Sequence, residues 1–138
     1  MIKPASLRAA LAKALPTLRR DPDKLQVFID QGQLVATQAA SLSFEYRYRL
    51  NLILTDYAHD IDPLMVAVLA WIRQHQPELL DHALRAHDIA FAVDYLNQSS
   101  CDLSITLPLT ERVIVTTRQD GSHQIAHVDE LLPDGVAE

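Results

Sequence analysis

The sequence predicts an α+β fold: an antiparallel sheet of about six to seven strands, one unusually long, with about two to three helices packed on a face. Three observations predict it. Ser41 to Tyr57 places Leu42, Phe44, Tyr46, Tyr48, Leu50, Leu52 and Leu54 at every second position, the period of a strand with one apolar face. Two segments opened by proline, from Pro4 and from Pro63, repeat apolar residues at helical spacing. From Ile89 onward the chain alternates again and carries Asp120-Gly121, a hairpin turn pair.

Taken in order, Pro4-Ala5-Ser6 opens a helix with Leu7, Leu11, Ala14 and Leu15 on one side and its cations on the other. Pro16 disfavours continuation, because it lacks a donor and crowds the previous turn. Arg19-Arg20-Asp21-Pro22-Asp23 reads as a turn. Leu25, Val27 and Ile29 form a short strand, Asp30-Gln31-Gly32-Gln33 a turn, and Leu34 to Gln38 the returning arm of a hairpin.

The long strand comes next. Between its apolar residues lie Ser43, Glu45, Arg47, Arg49, Asn51 and Thr55, with Ile53 the one apolar intruder. At roughly 3.3 Å per residue, Leu42 to Thr55 extends about 45 Å, whereas a compact chain of this size is only about 37 Å across. The strand therefore bends or projects. Asn51 to Ile53, where the alternation blurs, is the expected place for a bulge. A projecting strand with unpaired backbone groups is a docking surface.

Asp62 reads as an N-cap and Pro63 as the first helical position. The helix from Pro63 to Gln76 is apolar nearly all round as far as Ile72, so it calls for cover on more than one side, from the sheet and from a second layer or a neighbouring subunit. Trp71 reads as packing. Pro77 ends that helix or restarts a short one through Leu79, Leu80, Ala83 and Leu84. Three further strand segments follow: Ile89–Tyr95, Cys101–Leu107 and Val113–Arg118, then Ser122–Val128 after the turn. Residues 1–128 are expected to form a single α+β domain, and residues 129–138, with four acids, Pro133 and Gly135, an acidic flexible tail.

Composition narrows the function classes. At 138 residues with 49% apolar and 22% charged residues, the chain can bury a core unaided and is not of disordered type. The longest apolar run, Leu64 to Ile72, is too short to span a bilayer. No basic segment followed by an apolar stretch opens the chain, so synthesis in the cytoplasm is the expectation. Cys101 is the one cysteine and falls in phase with Leu103, Ile105 and Leu107, as a buried structural thiol does.

A net charge of −6 argues against general nucleic-acid binding. The charge is polarised: residues 1–24 carry six cations against two acids, a net of +4, and the rest carries six against sixteen, a net of −10. Such polarity suits head-to-tail contact between copies; a plainly solvated basic helix explains it equally.

No catalytic, cofactor-binding or metal-ligating residue is assigned. Gly32, Gly121 and Gly135 are isolated and build no phosphate-cradling loop. His123 and His127 share a strand face but stand roughly 13 Å apart, too far for one ion. His75, His82 and His87 show no chelating spacing, His59 among Asp56, Asp60 and Asp62 reads as solvated loop, and Ser99-Ser100 has no local histidine to activate it. The residues singled out as a candidate oligomer or partner interface are Glu45, Arg47 and Arg49 on the polar strand face, with Arg19 and Arg20 from the basic segment.

Three stretches in order, KPASLRAALAKALPTLRRDPDKLQVFIDQG at 3–32, SLSFEYRYRLNLILTDY at 41–57 and VLAWIRQHQPELL at 68–80, together resemble the tail completion protein R (GpR) family of contractile-tailed temperate phages. These are structural stretches, and no individual functional residue transfers with them. The resemblance implies a virion assembly protein that finishes the tail before head joining, made in the host cytoplasm and carried in the virion tail. Fold-level analogy adds a tail-terminator-like subunit forming a hexameric ring on the tail, with copies of itself, the tail tube protein and a head-completion protein as partners, and without sequence-specific nucleic acid, membrane or cofactor. The second reading is a small α+β enzyme or ligand-binding domain with a pocket between the sheet and helix 63–76.

Overall fold

The computed structural model describes residues 1–37, 40–81 and 88–128. Pro4 stands in the first turn of α1 (Lys3–Ala14) and Pro16 opens α2 (Pro16–Arg20), so the two prolines mark successive helix starts. A 3-10 turn, Pro22–Lys24, leads into β1 (Leu25–Ala36), followed by β2 (Phe44–Tyr57). After α3 (Asp62–His75) and a second 3-10 turn at Pro77–Leu80 come β3 (Ala90–Tyr95), β4 (Cys101–Thr117) and β5 (His123–Val128). Arg19 and Arg20 thus form the last turn of α2 rather than a loop. Asp62 lies inside α3, and the carboxylate that accepts its N–H, at 3.0 Å, belongs to Asp60.

The strands make one antiparallel sheet in the order β1-β2-β4-β3, with β5 beside the far half of β4. There are five strands, not six or seven, because two expected breaks are absent. Asp30–Gln33 is a β-bulge and not a hairpin turn. Asp30 pairs with Arg49 and Gln33 with Arg47, so Gln31 and Gly32 together oppose Tyr48 while β1 runs on. Gln31 absorbs the extra residue with a φ of 52°. β4 likewise continues through Pro108. That proline falls in the interval between the β3 and β5 pairings, where no described strand needs its missing N–H.

The register places Phe44, Tyr46, Tyr48, Leu50, Leu52 and Leu54 of β2 on the same face as the odd-numbered residues Cys101 to Val115 of β4. All three α-helices lie on this face. Leu7 and Leu11 of α1, Leu18 of α2, and Leu64, Val68, Trp71 and Ile72 of α3 join Leu50, Leu52, Leu54, Leu103, Ile105, Leu107 and Leu109 in one core. Fully burying each such leucine or isoleucine contributes about 1.5–3 kcal/mol. The Trp71 indole donates to Ser6 Oγ at 3.0 Å, pinning α3 to α1, and stacks on His75. Cys101 is buried in the core.

The bulge of β2 lies at Thr55–Asp56, not at Asn51–Ile53. Leu54 pairs with Leu103 and Tyr57 with Cys101, and Asp56 takes a φ of 50°. The extra residue resets the alternation, so that Tyr57 points back into the core. Asn51 stays in phase on the opposite face. A second correction concerns exposure: β2 is paired with β1 on one side and β4 on the other, so its own backbone is no docking edge. Among the described residues the open edges belong to β1 on one side of the sheet and, on the other, to β3 and β5 along successive parts of β4. Residues 129–138, expected as a tail, lie outside the described residues, as do Gln38, His82, Ala83, Leu84 and His87.

Candidate assembly surfaces

The helix-free face of the sheet carries the polar residues of the long strand. Arg49 donates from Nε and Nη2 to the two carboxylate oxygens of Asp30, both at 2.9 Å, and Asn51 donates to Asp30 Oδ1 at 3.0 Å. Two planar donor groups on one carboxylate favour its charged form, so Arg49 first and Asn51 second hold Asp30 below the usual carboxylate range, and Asp30 in turn raises Arg49. Two residues along, Arg47 donates to Glu45 at 2.8 Å on the same face. Arg47, Arg49, Gln31, Gln33, Thr106 and Pro108 border an open depression of about 460 Å³.

Of the five residues proposed from sequence, Glu45, Arg47 and Arg49 therefore share one surface. Arg19 and Arg20 stand on the other side, at the end of the helix whose Leu18 is in the core; Arg19 donates back to the Lys13 carbonyl. The structure does not bring the two groups together. Asp30, the partner that fixes Arg49, has turn composition around it in the sequence, and only the bulge reveals it as a strand residue opposite Arg49.

A polar cluster inside the core carried no local signal. Glu111 is 3% exposed on the helix side of β4. Its carboxylate accepts from Tyr48 Oη at 2.5 Å, from the Ile2 N–H at 2.8 Å and from the Lys3 N–H at 3.2 Å. Lys3, 6% exposed, donates from Nζ to Gln76 Oε1 and to the Thr110 carbonyl. An acid at the first turn of α1 also suits the helix dipole. Burial first, and the bond to Glu111 second, push the Tyr48 phenol well above its ordinary value. The cluster ties the N-terminus of α1, the end of α3 and strands β2 and β4 together. It also removes Lys3 from the exposed basic segment. Its one sequence trace is that Glu111 falls in phase with Leu107, Leu109 and Val113.

The outer surface holds several apolar side chains. On α3, Val66 and Leu69 face outward, so the second cover expected for this helix is not supplied by the described residues. On β3, Phe91 and Tyr95 are 63% and 74% exposed. Among the described residues no group of three His, Cys, Asp or Glu is placed to hold a metal ion, and no helix is long and apolar enough to cross a membrane.

The family described as P2 phage tail completion protein R (GpR) matches residues 1–131. The chain belongs to this family. Within it, Tail completion protein R of Escherichia phage P2 is 45% identical over 135 residues, covering 96% of this chain and 86% of that protein. No solved structure matches. A tail completion family is a virion assembly family, and in this chain all three resembling stretches contribute core residues to the helix-covered sheet.

Proposed function

We propose that this chain completes the phage tail as a non-catalytic ring of copies at the head-proximal end of the tail tube, and so prepares the tail for head joining. Its partners in this reading are further copies of itself, the tail tube protein and a head-completion protein. Assembly takes place in the bacterial host cytoplasm, and the ring remains in the virion tail.

The observation that carries the reading is the sheet's pair of open edges. Among the described residues β1 pairs only with β2, while β3 and β5 each pair only with β4, which leaves unpaired strand edges on both sides of the sheet. Two different edges can meet each other heterologously, the kind of contact that closes into a ring. Membership in a tail completion family supports the setting. The enzyme reading needed a pocket between the sheet and α3; that space is filled by Leu50, Leu52, Leu64, Ile72 and Leu107.

The test is microscopy of tails assembled with and without the chain, alongside light scattering of the purified protein over a range of concentrations. Expected are tails of aberrant length or tails without heads when the chain is missing, and a concentration-dependent rise in mass for the chain itself. Normal tails that join heads without it would overturn the proposal.

A further inference from the structure

We infer that copies of this chain join through the β1 edge of one and the β3 edge of the next, with Lys24 of the first set against Asp94 and Asp102 of the second. This inference rests on the ring reading above and names the surfaces that would build it.

The rows of the sheet support the pairing. Leu25, Leu54, Leu103 and Val93 form one row from edge to edge, and Val27, Leu52, Ile105 and Phe91 another. The N-terminal half of β1 and the whole of β3 thus lie level at opposite margins. Successive strands alternate in direction, so β1 and β3 run oppositely. A β3 edge set beside the β1 edge of another copy continues the antiparallel pattern and keeps both helix layers on the same side.

Charge favours the same match. One step beyond the Leu25 row stands Lys24 at the β1 margin and Asp94 at the β3 margin, with Asp102 directly opposite Asp94 on the neighbouring β4, where its carboxylate accepts the Asp56 N–H at 2.9 Å. Like charges so placed repel. The Asp94 carboxylate is exposed and has no hydrogen bond or ion pair among the described residues. Residues 88–102 contain three acids and no lysine or arginine. The opposite margin carries Arg8 and Lys24, with Arg19 and Arg20 in the adjoining α2, against Asp21 and Asp23. Lys24 is bound only at the surface, to the Asp56 carbonyl at 2.9 Å and, loosely at 3.9 Å, to its carboxylate.

Shape agrees as well. A groove of about 470 Å³ runs along the β1 edge, lined by Arg8, Pro22, Asp23, Leu25, Gln26 and Val27. The exposed Phe91 and Tyr95 lie on the helix-side face of β3, next to which the joined copy would bring its own α1, anchored to its β1 margin by the Arg8 guanidinium on the Leu25 carbonyl at 3.1 Å. A second copy is thus the occupant that meets the edge, the charge and the aromatic surface together.

Two full-length variants test this, Asp94→Lys and Lys24→Glu, prepared singly and mixed, with urea midpoints as a check on folding. Association is read by sedimentation velocity of the free chain and by copies per purified tail. Each variant alone sets like charges against each other and is expected to associate about tenfold or more weakly than wild type. In a mixture the two kinds of subunit alternate. At one junction the charges are exchanged between the two margins, at the next they stand as in wild type, and opposite signs meet at both. The mixture is therefore expected to recover wild-type association. Folded single variants that assemble like wild type, or a mixture that fails to recover, would overturn the edge contact while leaving the ring standing. A wild-type chain present as one copy, both free and on tails, would overturn the ring and this contact with it.

Discussion

The hydroxyl of Tyr48 on β2 and the carboxylate of Glu111 on β4 meet at 2.5 Å beneath the start of α1, where Glu111 also collects the Ile2 and Lys3 amides. A buried carboxylate is tolerated only when its oxygens are taken up, and here three donors from two layers do so. Glu111→Ala strands all three and is expected to cost about 3 kcal/mol. Tyr48→Phe leaves Glu111 its two amide donors and is expected to cost about 1–2 kcal/mol. Urea midpoints of the two variants check the order; a neutral Glu111→Ala would mean that the cluster does not join helix layer to sheet.

The same pair sets the alkaline limit. The folded state holds the Tyr48 phenol above its usual value, so it favours the neutral form. Its contribution is full below about pH 10, where the unfolded phenol is also neutral, and is lost as pH rises further. Above about pH 10 wild type is expected to lose stability more steeply than Tyr48→Phe, as read by urea midpoints from about pH 9 upward.

At the acid end, Asp30 plays the opposite part. Arg49 and Asn51 depress its folded value, so its contribution is present at neutral pH and fades as pH falls below the ordinary carboxylate range. Asp30→Asn is expected to flatten that part of the acid unfolding curve. Thermal melts from about pH 6 down to about pH 2 measure it.

Arg47 and Arg49 separate folding from assembly. Arg49→Glu puts a carboxylate beside Asp30 and is expected to lower stability measurably. Arg47→Glu loses only an exposed pair with Glu45 and is expected to change stability by less than about 0.5 kcal/mol. If the helix-free face meets the tube, Arg47→Glu lowers the yield of head-joined tails while its melting temperature stays near wild type. A normal yield would remove this face from the contact.

Gly121 takes a φ of 90° in the β4–β5 turn, and a Cβ there would meet no atom within 4 Å. The cost of Gly121→Ala is therefore backbone strain alone, about 1 kcal/mol. Hydrogen exchange is expected to rise in β5 before the rest of the sheet.

Much of this framework was legible in the residues. The alternation of Phe44 to Leu54 marked both the strand and its buried face, the prolines at 4 and 63 marked helical starts, and Asp120-Gly121 marked its hairpin, whereas Pro16, read as a stop, also opens α2. What escaped depends on partners distant in sequence. Asp30–Gln33 has turn composition, and only the opposing Arg47–Arg49 makes it a bulge. The segments Cys101–Leu107 and Val113–Arg118 read as two strands, and only the absence of a neighbouring described strand at Pro108 lets β4 pass through as one. Length made β2 look like a ribbon that bends or projects, whereas pairing on both sides makes it the sheet's interior and moves the open edges to β1, β3 and β5. For the candidate surface, periodicity placed Glu45, Arg47 and Arg49 together correctly, but charge alone could not tell that Arg19 and Arg20 lie on the far side.

The most direct measurement is the number of copies of this chain at the head-proximal end of purified tails, counted in a density map. A closed ring of copies seated there, and missing from tails that fail to join heads, is the predicted result. Head-joined tails with that end free of the chain would contradict it.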